Sequence, residues 1–205
     1  MRYTLIHPTK SGGTSIENFF YLHYRSSFRG MGHASICKNN NNPIIVVRDV
    51  KSRFLSMYKY WKNGSVDMKN FKRSEEFKKC NENVSIIDFI NILKTNPEEL
   101  CEGFTWSAHF RNTCSWIDKK TDYKNIIVIT YETELNPKIQ KLINLLGIEN
   151  KNIPLPKNNV SVPIYNENDL LDDPILDDFI NDYFKDDINL INTIKNNPEL
   201  FKLVL

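Results

Sequence analysis

The chain opens on an apolar run, Tyr3-Thr4-Leu5-Ile6, with the composition of a strand. After the stretch from His7 to Ser15 comes Ile16-Glu17-Asn18-Phe19-Phe20, whose apolar positions suit the inner face of a helix. The pattern predicts strand, tight loop, helix. Pro43-Ile44-Ile45-Val46-Val47 is continuously apolar, as a strand covered on both faces is, and it ends at Arg48-Asp49. The helix predicted beyond it carries Val50, Phe54, Tyr58 and Trp61 on one stripe, read as core, and Ser52, Ser56 and Lys59 on another. Ile86 to Leu93 predicts a further helix, and Asn125 to Tyr131 a second strong strand. The next helix is punctuated by Asn136 as N-cap, Pro137 in the first turn and Gly147 just past the end, with Ile139, Leu142, Ile143 and Leu146 facing inward. Asp173-Pro174 announces the last helix, expected to bury Ile175, Phe179, Tyr183 and Phe184 and to solvate its aspartates. Strand and helix in alternation predict an α/β fold with a parallel sheet and right-handed crossovers.

The connections are polar. Tyr24 to Arg29 reads as a connection, and Lys62 to Ser85, mixed in charge, as a solvated insertion or an acceptor-recognising surface segment. Phe104 to Phe110 is rich in aromatics, and Lys151 to Ile164, rich in Pro and Asn, is expected to run over the surface.

Composition narrows the function classes. A chain of 205 residues, 40% hydrophobic and 12% aromatic, has the length and apolar content of a single globular domain covering 1–205. Lys plus Arg exceed Asp plus Glu by only 27 − 25 = 2, so no global field marks a nucleic-acid binder, and any anion site must be local. No apolar run approaches membrane-spanning length and the first strand begins at once, so a soluble, cytoplasmic protein is expected. Cys37, Cys80, Cys101 and Cys114 are widely spaced and contain no CxxC pair. They read as free thiols; His109 and Cys114 alone do not make a closed zinc site.

Against that neutral background His7-Pro8-Thr9-Lys10-Ser11-Gly12-Gly13-Thr14-Ser15 stands out. Two adjacent glycines let the backbone aim its N–H groups at one point, and the following helix adds its positive dipole end and unpaired first-turn donors. Lys10 brings a mobile charge, and Ser11, Thr14 and Ser15 bring hydroxyls. The lysine precedes the glycine pair, so this is not a Walker A loop. Arg48, at the end of the clearest strand, falls where ligands gather in parallel α/β sheets, and Ser56 continues its stripe as a phosphate hydroxyl or as part of a solvated face. His33, between small residues in Gly32-His33-Ala34-Ser35, reads either as a structural histidine or as one close to a ligand.

Together, the two anion motifs resemble those of the sulfotransferases that use 3′-phosphoadenosine 5′-phosphosulfate, especially the branch acting on heparan and uronyl sugars. The His7–Ser15 stretch resembles that family's 5′-phosphosulfate loop, and Val47-Arg48-Asp49-Val50-Lys51-Ser52-Arg53-Phe54-Leu55-Ser56-Met57-Tyr58 its 3′-phosphate motif, with Val50 where proline is usual. Gly32-His33-Ala34-Ser35 is similar to the segment carrying the uronyl branch's proposed base. The resemblance implies a P-loop-like three-layer fold and sulfuryl transfer to an acceptor hydroxyl, expected on a saccharide, with no metal required. It implies that Lys10 stabilises the leaving oxygen, and that Ser11, Gly12, Gly13, Thr14 and Ser15 hold the 5′-phosphate. Arg48 and Ser56 would grip the 3′-phosphate, and His33 would take the acceptor's proton. Trp106 and Trp116 are candidates to stack on sugar rings, or else core. The rivals are a magnesium-dependent kinase, for which Asp49 is the candidate ligand, and a non-catalytic nucleotide-binding module.

Overall fold

A computed structural model describes residues 2–32, 34–37, 40–63, 84–95, 111–131, 134–156 and 173–205, apart from the side chains of Trp61 and Asn63. Its elements are, in order, β1 (Tyr3–Ile6), α1 (Gly13–Tyr24), β2 (Phe28–Gly30), β3 (Pro43–Arg48), α2 (Val50–Asn63), α3 (Ile86–Thr95), β4 (Ile127–Tyr131), α4 (Asn136–Leu145), α5 (Pro174–Tyr183), α6 (Lys185–Asn196) and β5 (Leu203–Val204). The chain forms two compact units: Met1–Asp49, Asn112–Asn158 and Asp186–Leu205 make the first, Val50–Arg111 and Asn159–Lys185 the second.

The first unit is built on a five-stranded sheet in the order β2-β1-β3-β4-β5 with every pair parallel. Strand periodicity sends Tyr3, Leu5, Ile44, Val46, Ile127 and Ile129 to one face, where they pack with Ile16, Phe19 and Phe20 of α1 and Ile139, Leu142 and Ile143 of α4. Ile6, Ile45, Val47 and Val128 point the other way, into a core shared with Leu190 and Ile194 of α6, Ile36, Trp116 and Phe201. Helix, sheet, helix is thus a three-layer α/β arrangement, and the sheet's continuously apolar strands follow from its being covered on both faces.

The second unit is aromatic at its centre. Phe54 of α2 lies 6.0 Å from Phe89, 5.2 Å from Phe179 and 6.1 Å from Phe184 between ring centroids. Ser85 and Asp88 start α3 with a reciprocal cap: Ser85 Oγ accepts from the Asp88 N–H at 3.1 Å, and Asp88 Oδ2 from the Ser85 N–H at 3.3 Å. Arg53, only 1% exposed, donates from Nη2 to the Arg111 carbonyl at 2.8 Å, which satisfies part of a charge buried inside this unit.

Several predicted details shift. β2 emerges from the stretch read as a connection; it is an edge strand whose one buried side chain, Phe28, stacks on Phe20 at 3.8 Å. Asn136 does not cap α4: Leu135 is the N-cap, and Asn136 Oδ1 accepts the Leu155 N–H at 2.9 Å instead. The other end of α4 is as predicted, with Gly147 at φ +65° and the N–H groups of Gly147 and Ile148 returning to Asn144 and Ile143. The last helix is two helices. Asp173 caps α5, and Phe179 and Phe184 are buried as expected, but at its start Leu176 is buried and Ile175 exposed, and Tyr183 is only half-buried. Asp187 is 1% exposed rather than solvated, because its carboxylate accepts the Cys114 N–H at 2.9 Å. Trp116 is fully buried core, which removes it as a sugar-stacking platform; Trp106 lies outside the described residues. No helix among the described residues is long and apolar enough to cross a membrane.

Candidate functional site

The sheet order makes a switch point. From β1 the chain steps to β2 on one side and then returns to β3 on the other, so the carboxyl ends of β1 and β3 flank the crevice where such sheets bind ligands. The loop after β1 and Arg48 at the end of β3 both sit there.

The loop is held tightly. Ser11 donates its N–H at 3.4 Å and its hydroxyl at 2.6 Å to the Pro8 carbonyl, and Lys10 adopts φ +61°. The two glycines serve different ends. Gly12 is the N-cap of α1 at φ +81°, a left-handed conformation, and a Cβ there would lie 2.6 Å from Leu135 Cδ1. Gly13 is needed for space: a Cβ would fall under 3.0 Å from Cβ, Cγ and Nδ1 of His7. No side-chain hydrogen bond from the N-cap closes α1 and no acidic residue occupies its first turn, so the positive end of its dipole meets no carboxylate within that turn.

Arg48 joins the two motifs. Its Nη1 donates to the Lys10 carbonyl at 3.0 Å, and its guanidinium carbon lies 4.9 Å from the centre of the Tyr131 ring. Lys10, Ser11, Gly12, Gly13, Thr14, Ser15 and Arg48 therefore gather at one corner of the first unit. Thr14 is half-exposed, whereas Ser11 and Ser15 are buried, and the Ser11 hydroxyl closes the loop on Pro8. Ser56 is buried on α2 in the second unit, so its stripe is not a solvated face. His33 lies outside the described residues, as does His109.

A pair that spacing did not single out supports the loop. His7, 3% exposed, has Nε2 3.1 Å from Glu17 Oε2, while Glu17 Oε1 accepts the Gly32 N–H at 3.3 Å and the Gly32 carbonyl accepts the His7 N–H at 3.1 Å. The end of β1, the second turn of α1 and the residue before His33 are thereby tied together. Ten residues separate His7 from Glu17, and only the fold makes them neighbours.

Cys114 is a different kind of group. Burial, followed by the charges of Asp187 and Asp186, pushes its thiol up to about 11, which keeps it a neutral thiol. Cys37 and Cys114 are free, and Cys80 and Cys101 lie outside the described residues. Among the described residues no group of three or more His, Cys, Asp or Glu is placed to hold a metal ion. No family model matches the chain, and neither a curated protein nor a solved structure does.

Proposed function

We propose that the chain is a sulfotransferase that takes 3′-phosphoadenosine 5′-phosphosulfate as donor and an acceptor hydroxyl, expected on a saccharide, as substrate. The observation that supports this reading most is the hydrogen bond from Arg48 to the Lys10 carbonyl, because it brings the arginine that ends β3 against the loop after β1, at the switch point of the sheet. The glycine pair and the start of α1 then offer backbone donors to the 5′-phosphate, and Lys10 offers its charge to the oxygen that leaves with it. Arg48 offers a fork to the 3′-phosphate.

In the reaction the sulfur–oxygen bond to the donor's phosphate breaks and a sulfur–oxygen bond to the acceptor forms. His33 takes the proton from the acceptor hydroxyl, a role worth on the order of 10²–10⁴ in rate. Positioning and charge stabilisation supply most of the remainder, as in phosphoryl transfer.

The test is transfer of labelled sulfate to a panel of saccharides without added magnesium. Labelled product from the wild type, lost in Lys10→Ala and reduced at least about a hundredfold in His33→Ala, is the expected result. Transfer from ATP that requires magnesium would replace the reading with a kinase.

A further inference from the structure

The first unit also has a cleft of about 770 Å³ lined by Arg2, Glu17, Tyr21, Arg25 and Arg29, with Phe28 and Gly30 of β2 beside them. None of the residues assigned above to the donor lines it. Glu17, Tyr21 and Arg25 recur every four residues on α1, so they form one row, and Glu17 and Arg25 are separated by about 12 Å along the helix.

That row is polarised. At its far end Arg2 Nη2 donates to the Arg25 carbonyl at 3.0 Å, which holds two guanidinium-bearing residues together at the C-terminus of α1. Among the described residues no carboxylate pairs with Arg2, Arg25 or Arg29. In a chain with a net charge of only +2, this is a local concentration of positive charge. At the near end sits Glu17, its carboxylate already directed by His7 and the Gly32 N–H. Between them Tyr21 is 69% exposed, a large ring left in water.

We propose that this cleft is a second binding site, separate from the donor loop, for a sugar phosphate. The phosphate lies between Arg2 and Arg25, with Arg29 adding charge; the ring packs on Tyr21, and hydroxyls or an amine at the other end donate to Glu17. A dianion at the Glu17 end is repelled, so the ligand enters in one orientation. Guanidinium forks suit the phosphate's oxygens, and an aromatic face suits the apolar face of a sugar. This assignment is independent of the sulfotransferase reading, since it uses neither Lys10 nor Arg48.

Calorimetry of the full chain with glucosamine 6-phosphate tests it, with glucosamine and inorganic phosphate as separate probes. The whole molecule should bind at one site at least about tenfold more tightly than either fragment. Arg25→Ala and Arg25→Gln, both at an exposed position, should each weaken it about tenfold and leave the titration with 3′-phosphoadenosine 5′-phosphate unchanged. Glu17→Gln should narrow the preference for glucosamine 6-phosphate over glucose 6-phosphate. No heat with the wild type, or the same affinity in both Arg25 variants, would overturn the proposal. So would loss of binding in Lys10→Ala with retention in Arg25→Ala, because the ligand would then be occupying the loop.

Discussion

Replacing Gly13 with alanine tests the geometry of the loop directly. The added Cβ would fall under 3.0 Å from three atoms of His7, closer than real Cβ atoms come to anything. The His7 ring is buried and bound to Glu17 at 3.1 Å, so its Cγ and Nδ1 retreat only by giving up that bond, and because the His7 Cβ is fixed to the backbone the start of α1 must move as well. Overpacking of this kind costs about 1–3 kcal/mol, and a hydrogen bond to a charged group is worth about 1.5–3 kcal/mol. Against this, alanine regains at most about 1 kcal/mol of helix propensity. A net loss of about 1–3 kcal/mol follows, read as a lower midpoint in urea with an unchanged slope. The decisive comparison is a double-mutant cycle with His7→Gly, which removes the obstructing ring together with the Cβ that the added methyl would meet. In that background Gly13→Ala should cost little, giving a coupling of at least about 1 kcal/mol. If Gly13→Ala melts with the wild type, or costs the same with and without His7, the packing account of this glycine is wrong.

Two further outcomes follow from groups whose neutral forms the fold favours. Burial, aided by the nearby charge of Asp88, pushes the Tyr58 hydroxyl up to about 12, and that hydroxyl donates to the Val84 carbonyl at 2.9 Å. A raised folded-state value means that the stability from this group is complete below pH 10 and is lost as pH rises towards 12. Tyr58→Phe should therefore flatten the alkaline limb of stability over that window, measured by urea melts at successive pH values; an unchanged limb would contradict the assignment. The Cys114 thiol, pushed up to about 11, should resist alkylation by iodoacetamide at pH 8, and Asp187→Asn should speed it several-fold; rapid wild-type alkylation mapped to Cys114 by mass spectrometry would contradict this.

The sheet was legible because its strands are buried on both faces: Pro43 to Val47 and Ile127 to Ile129 are unbroken apolar runs, as the strands of a parallel, covered sheet are. β2 and β5 were not, because two- and three-residue edge strands carry too few side chains to show a period. At the start of α5 the buried position was misread, although Phe179 and Phe184 were not, because Ile175 and Leu176 are adjacent and equally apolar, and only packing distinguishes them. At the candidate site the loop and Arg48 could be read from residue type and strand position, but the separate reasons for Gly12 and Gly13 could not. Those reasons lie in Leu135 and His7, side chains that approach the glycines only once the chain has folded. The same holds for Glu17, whose partners are His7 and Gly32, and for Asp187, whose partner is the amide of Cys114.

The most direct test of the central claim is calorimetry with 3′-phosphoadenosine 5′-phosphate in the absence of metal, on the wild type, Lys10→Ala and Arg48→Ala. Arg48 ties the loop through the Lys10 carbonyl as well as offering a fork to phosphate, so its loss should weaken binding at least about tenfold, and loss of the Lys10 charge should weaken it too. Tight wild-type binding with both losses is the predicted result. Absence of wild-type binding, with ATP and magnesium binding in its place, would contradict the account.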